Sequence, residues 1–293
     1  MLKSSKKRGT TLSTASNRPM SVGASVWYFA CSIMIAAGLA GCTATDESVQ
    51  LSADQRFQRA MEYFKEEDYL EAIEEFKIVT LQFQGSGIAD DAQYYMAECY
   101  FMREQYELAA YEYELLLRTM PTSEFVATAR YKRALCYFNK SPESFRDQEF
   151  TRRAIDEFQS FIEYHPTDSL VQDAERRIVE LNTKLAKKEY DNGITYMNME
   201  SYKSAITFFD YVLEKYHDSP YAEQAQLKKA EAMMRRKKFV EAKQEIEKFF
   251  VKYPESGLKV EAERLRDEIL SRQPKPGNNA THEPAAPKIG NLQ

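Results

Sequence analysis

One spacing recurs five times and limits what this chain can fold into. An Ala or Gly anchor is followed three residues on by Tyr or Met, nine further on by Ala, and four after that by an apolar residue. The sets are Ala60, Tyr63, Ala72, Phe76; Ala97, Tyr100, Ala109, Tyr113; Ala134, Tyr137, Ala154, Phe158; Gly193, Tyr196, Ala205, Phe209; and Ala230, Met233, Ala242, Ile246. The third carries eight extra residues between its halves. Anchors one and two, two and three, and four and five stand 37 residues apart. A fixed period of this size means stacked supersecondary units rather than one globular core. Such stacks present surfaces to partners, which favours scaffolding over catalysis.

The chain has 19 Tyr and 17 Phe against 10 Gly and 10 Pro, a balance that suits long helices. Each repeat splits into a helix A and a helix B of roughly a dozen residues. In repeat one, helix A is expected near 53–66 and helix B near 69–82, joined at Glu67-Asp68. Small residues at the anchors let the two helices approach closely. Pro in the linkers (Pro121, Pro166, Pro220, Pro254) stops the preceding helix, and a nearby Ser or Asp can cap the next.

Two departures from the period stand out. One is an insert, Asn139–Glu149, in repeat three, where Arg146 and Asp147 are placed to pair and order the loop. The other is a surplus of 14 residues between Ala174 and Gly193. Two heptads drift by only ~40° around a helix. Residues 170–198 are therefore expected to form one long helix that keeps its packing face.

Residues 1–41 hold five basic side chains and no acid; the remainder has 35 basic against 45 acidic residues, a balance of −10. No basic domain is left to cover phosphates, which argues against nucleic acid as a partner. An apolar run, Val26 to Leu39, follows the basic start and is short for a membrane span. It ends Leu39-Ala40-Gly41-Cys42 and resembles the lipobox of bacterial lipoproteins, with Cys42 as the acylated residue. The expected organisation is a signal peptide over 1–41, a lipidated tether over 42–52, five repeats over 53–271 and a polar, Pro-rich tail over 272–293. Stable anchoring needs more than one acyl chain. The covalent lipid is the one prosthetic group expected. Cys99 and Cys136 occupy equivalent positions two residues past their anchors. They read as small buried side chains on the same kind of helix, and an exported protein would allow a disulfide without requiring one.

The helix pairs resemble the tetratricopeptide repeat (TPR). With the lipobox, the insert, the long fourth helix A and the segment Leu185-Ala186-Lys187-Lys188-Glu189-Tyr190, the chain resembles the BamD family over about residues 42–271. These are lipoproteins of the outer-membrane β-barrel assembly (BAM) machinery. The resemblance implies an all-α solenoid of five TPR-type pairs on the periplasmic side of the outer membrane. It implies binding to the POTRA region of the barrel-forming subunit BamA and to unfolded barrel proteins, with other assembly lipoproteins as further partners in some lineages.

In a tetratricopeptide stack helix A lines the groove. Positions three before and four after the anchor share one helix face. They are Phe57 and Phe64, Tyr94 and Phe101, Tyr131 and Phe138 in repeats one to three, then Tyr190 and Met197, and Leu227 and Met234. Rings exposed there offer apolar area to an extended peptide; packed against neighbouring helices, the same rings are core. Tyr190 and the run Arg235-Arg236-Lys237-Lys238 are candidate docking residues, the run facing acidic residues of a POTRA domain or a lipid headgroup, or else only water.

Catalysis draws no support. The three His lie in linkers or tail, no Cys/His metal cluster appears, and no Gly-rich phosphate loop is present. A periplasmic scaffold for peptidoglycan or Tol–Pal-type factors keeps the fold and changes the task. An envelope hydrolase would need a constellation that the sequence lacks.

Overall fold

The computed structural model describes residues 51–273. These form eleven α-helices and no strand. They are α1 Ala53–Lys65, α2 Tyr69–Gln82, α3 Ala89–Met102, α4 Tyr106–Thr119, α5 Val126–Lys140, α6 Glu149–Tyr164, α7 Val171–Asn198, α8 Tyr202–Lys215, α9 Tyr221–Arg235, α10 Phe239–Lys252 and α11 Lys259–Arg272. Each helix packs on the next in sequence, and α9 also reaches α7. The first ten make five A/B pairs, an α-solenoid of TPR-type repeats, and α11 adds an unpaired helix at the end. No described helix is long and apolar enough to cross a membrane. Cys42, the leader and residues 274–293 lie outside the described residues.

The anchors work by size. Ala60, Ala97, Ala134 and Ala230 are fully buried, as are the helix B residues Ala72, Ala109, Ala154, Ala205 and Ala242. Cys99 and Cys136 are also fully buried, and both are free thiols. Burial, then the Glu98 carboxylate, pushes each thiol up to about 12. The core runs as a series of clusters along the stack, the expected form for units that contact only their neighbours.

Both kinds of connection repeat. Within pairs, Glu67, Glu104, Glu200 and Lys237 adopt φ of 64°, 59°, 54° and 61°. Each lies seven residues past its anchor. The next N–H then donates to the carbonyl of the residue three past the anchor, as from Asp68 to Tyr63 at 2.9 Å and from Lys238 to Met233 at 3.0 Å. This is the Schellman closure, made here without glycine. Between pairs, two consecutive turns recur, for example Ser123 N–H to Met120 O and Val126 N–H to Ser123 O. The linker Ser and Asp side chains do not cap the following helices, contrary to the expectation from sequence. Ser123, Asp168 and Ser256 accept instead from the N–H two residues on, at 3.2, 2.8 and 3.0 Å. Their side chains shape the turn before the helix begins.

The two departures from the period meet. Helix α7 has 28 residues and buries Ala174, Leu181, Leu185, Ala186 and Gly193 along one side. From its added segment, Lys184 Nζ donates to Ser141 Oγ at 2.8 Å and Lys188 Nζ to the Arg146 carbonyl at 2.7 Å. Gln148, fully buried, donates to the carbonyls of Glu143 and Arg146 at 2.8 and 3.1 Å and accepts from Thr151 at 2.7 Å. The expected Arg146–Asp147 pair does not order the loop. Asp147 accepts from the Glu149 N–H at 2.8 Å, and the Arg146 guanidinium lies over the Phe145 ring. An exposed ion pair adds little.

Candidate functional site

The helix-A rings are more deeply engaged than a peptide groove requires. Tyr94 and Tyr131 are 9% and 6% exposed. Tyr94 stacks on Phe125, a linker residue of the next repeat, at 4.3 Å between centroids. Tyr131 packs on Phe158 and Phe161, and its hydroxyl donates to Asp173 of α7. These two are core side chains: of the two readings of the ladder, packed or exposed, the packed one holds for them, so they are not groove residues. The reason is that the following repeat lies over them. Alanine at both would remove packing rather than a binding face.

The other four rings are half-buried. Phe57 lies 5.7 Å from Phe76 and 6.2 Å from Tyr95, and Phe64 lies 5.5 Å from Tyr95. Phe101 carries Lys132 over its face at 4.9 Å, and Phe138 carries Arg177 at 4.7 Å. The next repeat thus covers each of these last two rings with a cation, and the remaining edge is what a partner could touch. The sequence reading passes over Tyr95 and Phe125. Tyr95 lies within 6.2 Å of Phe57, Phe64, Phe76, Tyr94 and Phe125, and so joins repeats one and two. Its position two before the anchor carries an aromatic in no other repeat, so the period gives no signal for it.

A buried polar joint lies beneath these rings. The Tyr113 hydroxyl donates to Glu98 at 2.5 Å, and Lys132 Nζ meets the same carboxylate at 2.8 Å. Burial, and next the Glu98 charge, hold the Tyr113 phenol well above its usual range. One carboxylate therefore ties α3 to α4 and to α5 of the following repeat.

The candidate docking residues separate into two kinds. Tyr190 is half-buried, 5.9 Å from Phe209 and 5.7 Å from Tyr221, and supports the repeat-four core. Arg235, Arg236, Lys237 and Lys238 are all exposed at the α9–α10 turn. Arg235 reaches Glu231 at 3.5 Å and Lys238 reaches Glu241 at 3.1 Å. Arg236 and Lys237 make no ion pair among the described residues. The left-handed backbone at Lys237 fixes the direction in which this charge leaves the turn.

The comparisons add a family. No curated protein matches significantly in sequence. Among solved structures, the TPR2AB domain of yeast Sti1, in a complex titled with pHSP90, is 15% identical. The match covers 75% of this chain and 83% of that one, with a TM-score of 0.39. A thermophilic TPR protein from Thermus thermophilus is 12% identical, with 75% and 98% covered and a TM-score of 0.32. A tetratricopeptide repeat protein from Parabacteroides merdae is 14% identical, with 75% and 73% covered and a TM-score of 0.33. The model of the family YfiO, described as outer membrane lipoprotein, matches residues 49–222 and 190–267, most of the chain and nearly all of its helical body. This protein therefore belongs to the YfiO family of outer membrane lipoproteins.

Proposed function

We propose that this protein is a non-enzymatic subunit of an outer-membrane β-barrel assembly machinery. In this reading residues 1–41 are removed, Cys42 is acylated, and residues 42–52 tether a periplasmic body to the outer membrane. The repeats bind the POTRA region of a BamA-like barrel-forming subunit and unfolded outer-membrane proteins. Other assembly lipoproteins are further partners. The observation that carries the reading is the family match, which spans both the insert and the long helix α7. Half-buried ring edges at Phe57, Phe64, Phe101 and Phe138 suit extended peptides with apolar side chains. The unpaired charges of Arg236 and Lys237 suit an acidic face of a folded partner.

The test is affinity purification of the tagged lipoprotein from gently solubilised envelopes, with partners identified by mass spectrometry. The experiment is run alongside an Arg236→Glu, Lys237→Glu variant. A stoichiometric barrel protein with POTRA domains is expected with the parent and is expected to fall about tenfold with the variant. Recovery of peptidoglycan enzymes or Tol–Pal components instead would move the function to envelope scaffolding.

A further inference from the structure

Helix A of each later repeat forms the floor of a groove between two B helices, and the chain closes three of these grooves itself. The residue just before the anchor does this in repeats three and five. Arg133 of α5 pairs with Glu114 of α4 and Glu157 of α6. Lys229 of α9 pairs with Asp210 of α8 at 2.8 Å and Glu245 of α10 at 2.6 Å. Both cations are largely buried, at 12% and 13% side-chain exposure. Their partners occupy equivalent places, five residues past the second Ala of the preceding repeat and three past that of their own. In repeat four the second place is Phe208, and Tyr196 stacks on it at 5.2 Å.

The first groove departs from this pattern at two of the three positions and keeps the third, a glutamate. Its equivalents are Lys77, Met96 and Glu112. One wall carboxylate has become a lysine, and the bridging cation has become a shorter, neutral side chain. A hollow of about 500 Å³ remains between α2 and α4. Met96 and Tyr100 line its floor, and Leu81 and Tyr111 stand at its rim, 63% and 58% exposed. Gln93 Nε2 donates to the Glu112 carboxylate at 2.7 Å, but no cation pairs with it among the described residues. Burial raises the pKa of Glu112 and outweighs the Gln93 hydrogen bond and the nearby Lys77 charge, both of which lower it.

We propose that this groove docks a segment of another protein that carries an apolar side chain next to an arginine or lysine. The apolar side chain covers Met96 and Tyr100 between Leu81 and Tyr111. The cation meets Glu112 as Lys229 meets Glu245 within the chain. The surface uses positions four and one before the anchor and three after it, a different face of helix A from the rings above, so its fate is independent of theirs.

The test uses the whole chain and short fluorescent peptides of Gly, Ser and Thr that carry a central Phe-Arg, Phe-Glu or Ala-Arg. Binding is read by anisotropy, and the Met96 methyl resonance reports the site. The Phe-Arg peptide is expected to bind and shift Met96, with the other two about tenfold weaker or more. The double variant Lys77→Glu, Met96→Arg rebuilds the internal bridge. It is expected to keep its helicity and melting temperature and to lose the peptide by a similar factor. Tyr111→Glu, a rim change that leaves the core untouched, serves should the double variant fail to fold. Absence of Phe-Arg binding, equal binding of the three peptides, or binding that persists in the folded variants overturns the proposal. None of these results bears on whether a POTRA-bearing partner co-purifies.

Discussion

Gly193 is the anchor that most depends on having no side chain. A Cβ there would stand inside the van der Waals radii of Phe209 Cδ1, Cε1 and Cζ, and that ring is fully buried. Glycine within a helix ordinarily costs about 1 kcal/mol relative to alanine. Here the sign reverses, because an added methyl forces the ring out of a filled site, at about 1–3 kcal/mol. Gly193→Ala is expected to lower the urea midpoint with circular dichroism unchanged at zero denaturant. A second residue-scale case is Glu245, 4% exposed. Burial raises its pKa, yet hydrogen bonds and charge from Lys229 and Lys248 outweigh this and hold it below 4.5. The folded state therefore binds fewer protons than the unfolded one in that window. The stabilisation is complete above the unfolded value and is lost as pH falls through the folded one. Glu245→Gln is expected to be about 1–3 kcal/mol less stable at neutral pH. Its stability should also fall less steeply below pH 4.5 than that of the parent, as read by urea titrations along a pH series.

At the scale of elements, the insert and the long helix form one device. The loop between α5 and α6 has almost no apolar content to bury, apart from an exposed Phe145. It is held by a buried amide and by two lysines from α7. Removing the amide takes one donor from each carbonyl, while Lys188 Nζ still bonds that of Arg146 and the Arg146 N–H that of Glu143, so each lost bond costs about 0.5–1.5 kcal/mol. Gln148→Ala should therefore raise amide exchange across 141–148 while the thermal midpoint of the whole protein shifts little. Equal acceleration across α5 and α6 would mean that the loop is integral to the repeat core. The intra-pair turns show the opposite economy. Four non-glycine residues adopt left-handed backbone at about 1–2 kcal/mol each, and neighbouring packing holds them there.

On the scale of the whole molecule, stability is a chain of neighbour contacts. The last helix matters because a solenoid ends on an uncovered face. Helix α11 supplies Ala262, Leu265 and Ile269 to the cluster that holds Ile246 and Phe249. Lys228 of α9 also reaches across to Glu261 at 3.4 Å. Ending the chain after Tyr253 is expected to expose that cluster and to abolish exchange protection in repeat five first. Protection in repeats one to three should survive, because their cores share no residue with it. Uniform loss of protection would show that the stack melts as one cooperative unit.

The recurrence of small anchors determined the helix pairs. It gave α2 its observed bounds, Tyr69–Gln82, and α7 its length, because helical periodicity and close approach are local properties that spacing records. Both were legible as linear pattern. Contacts between distant residues were not. Arg146 and Asp147 are adjacent in sequence, yet the loop is tied down by lysines about forty positions away, because only the folded stack brings α7 beneath it. Seven-residue spacing put Tyr94 and Phe101 on one face of α3. Whether that face met water depended on Phe125 and Lys132, which arrive from the next repeat. The first groove is open for the same reason. The identities of Lys77, Met96 and Glu112 were in the chain, but only tertiary packing set them against Arg133 and Lys229 as equivalents and left a hollow where those cations close theirs.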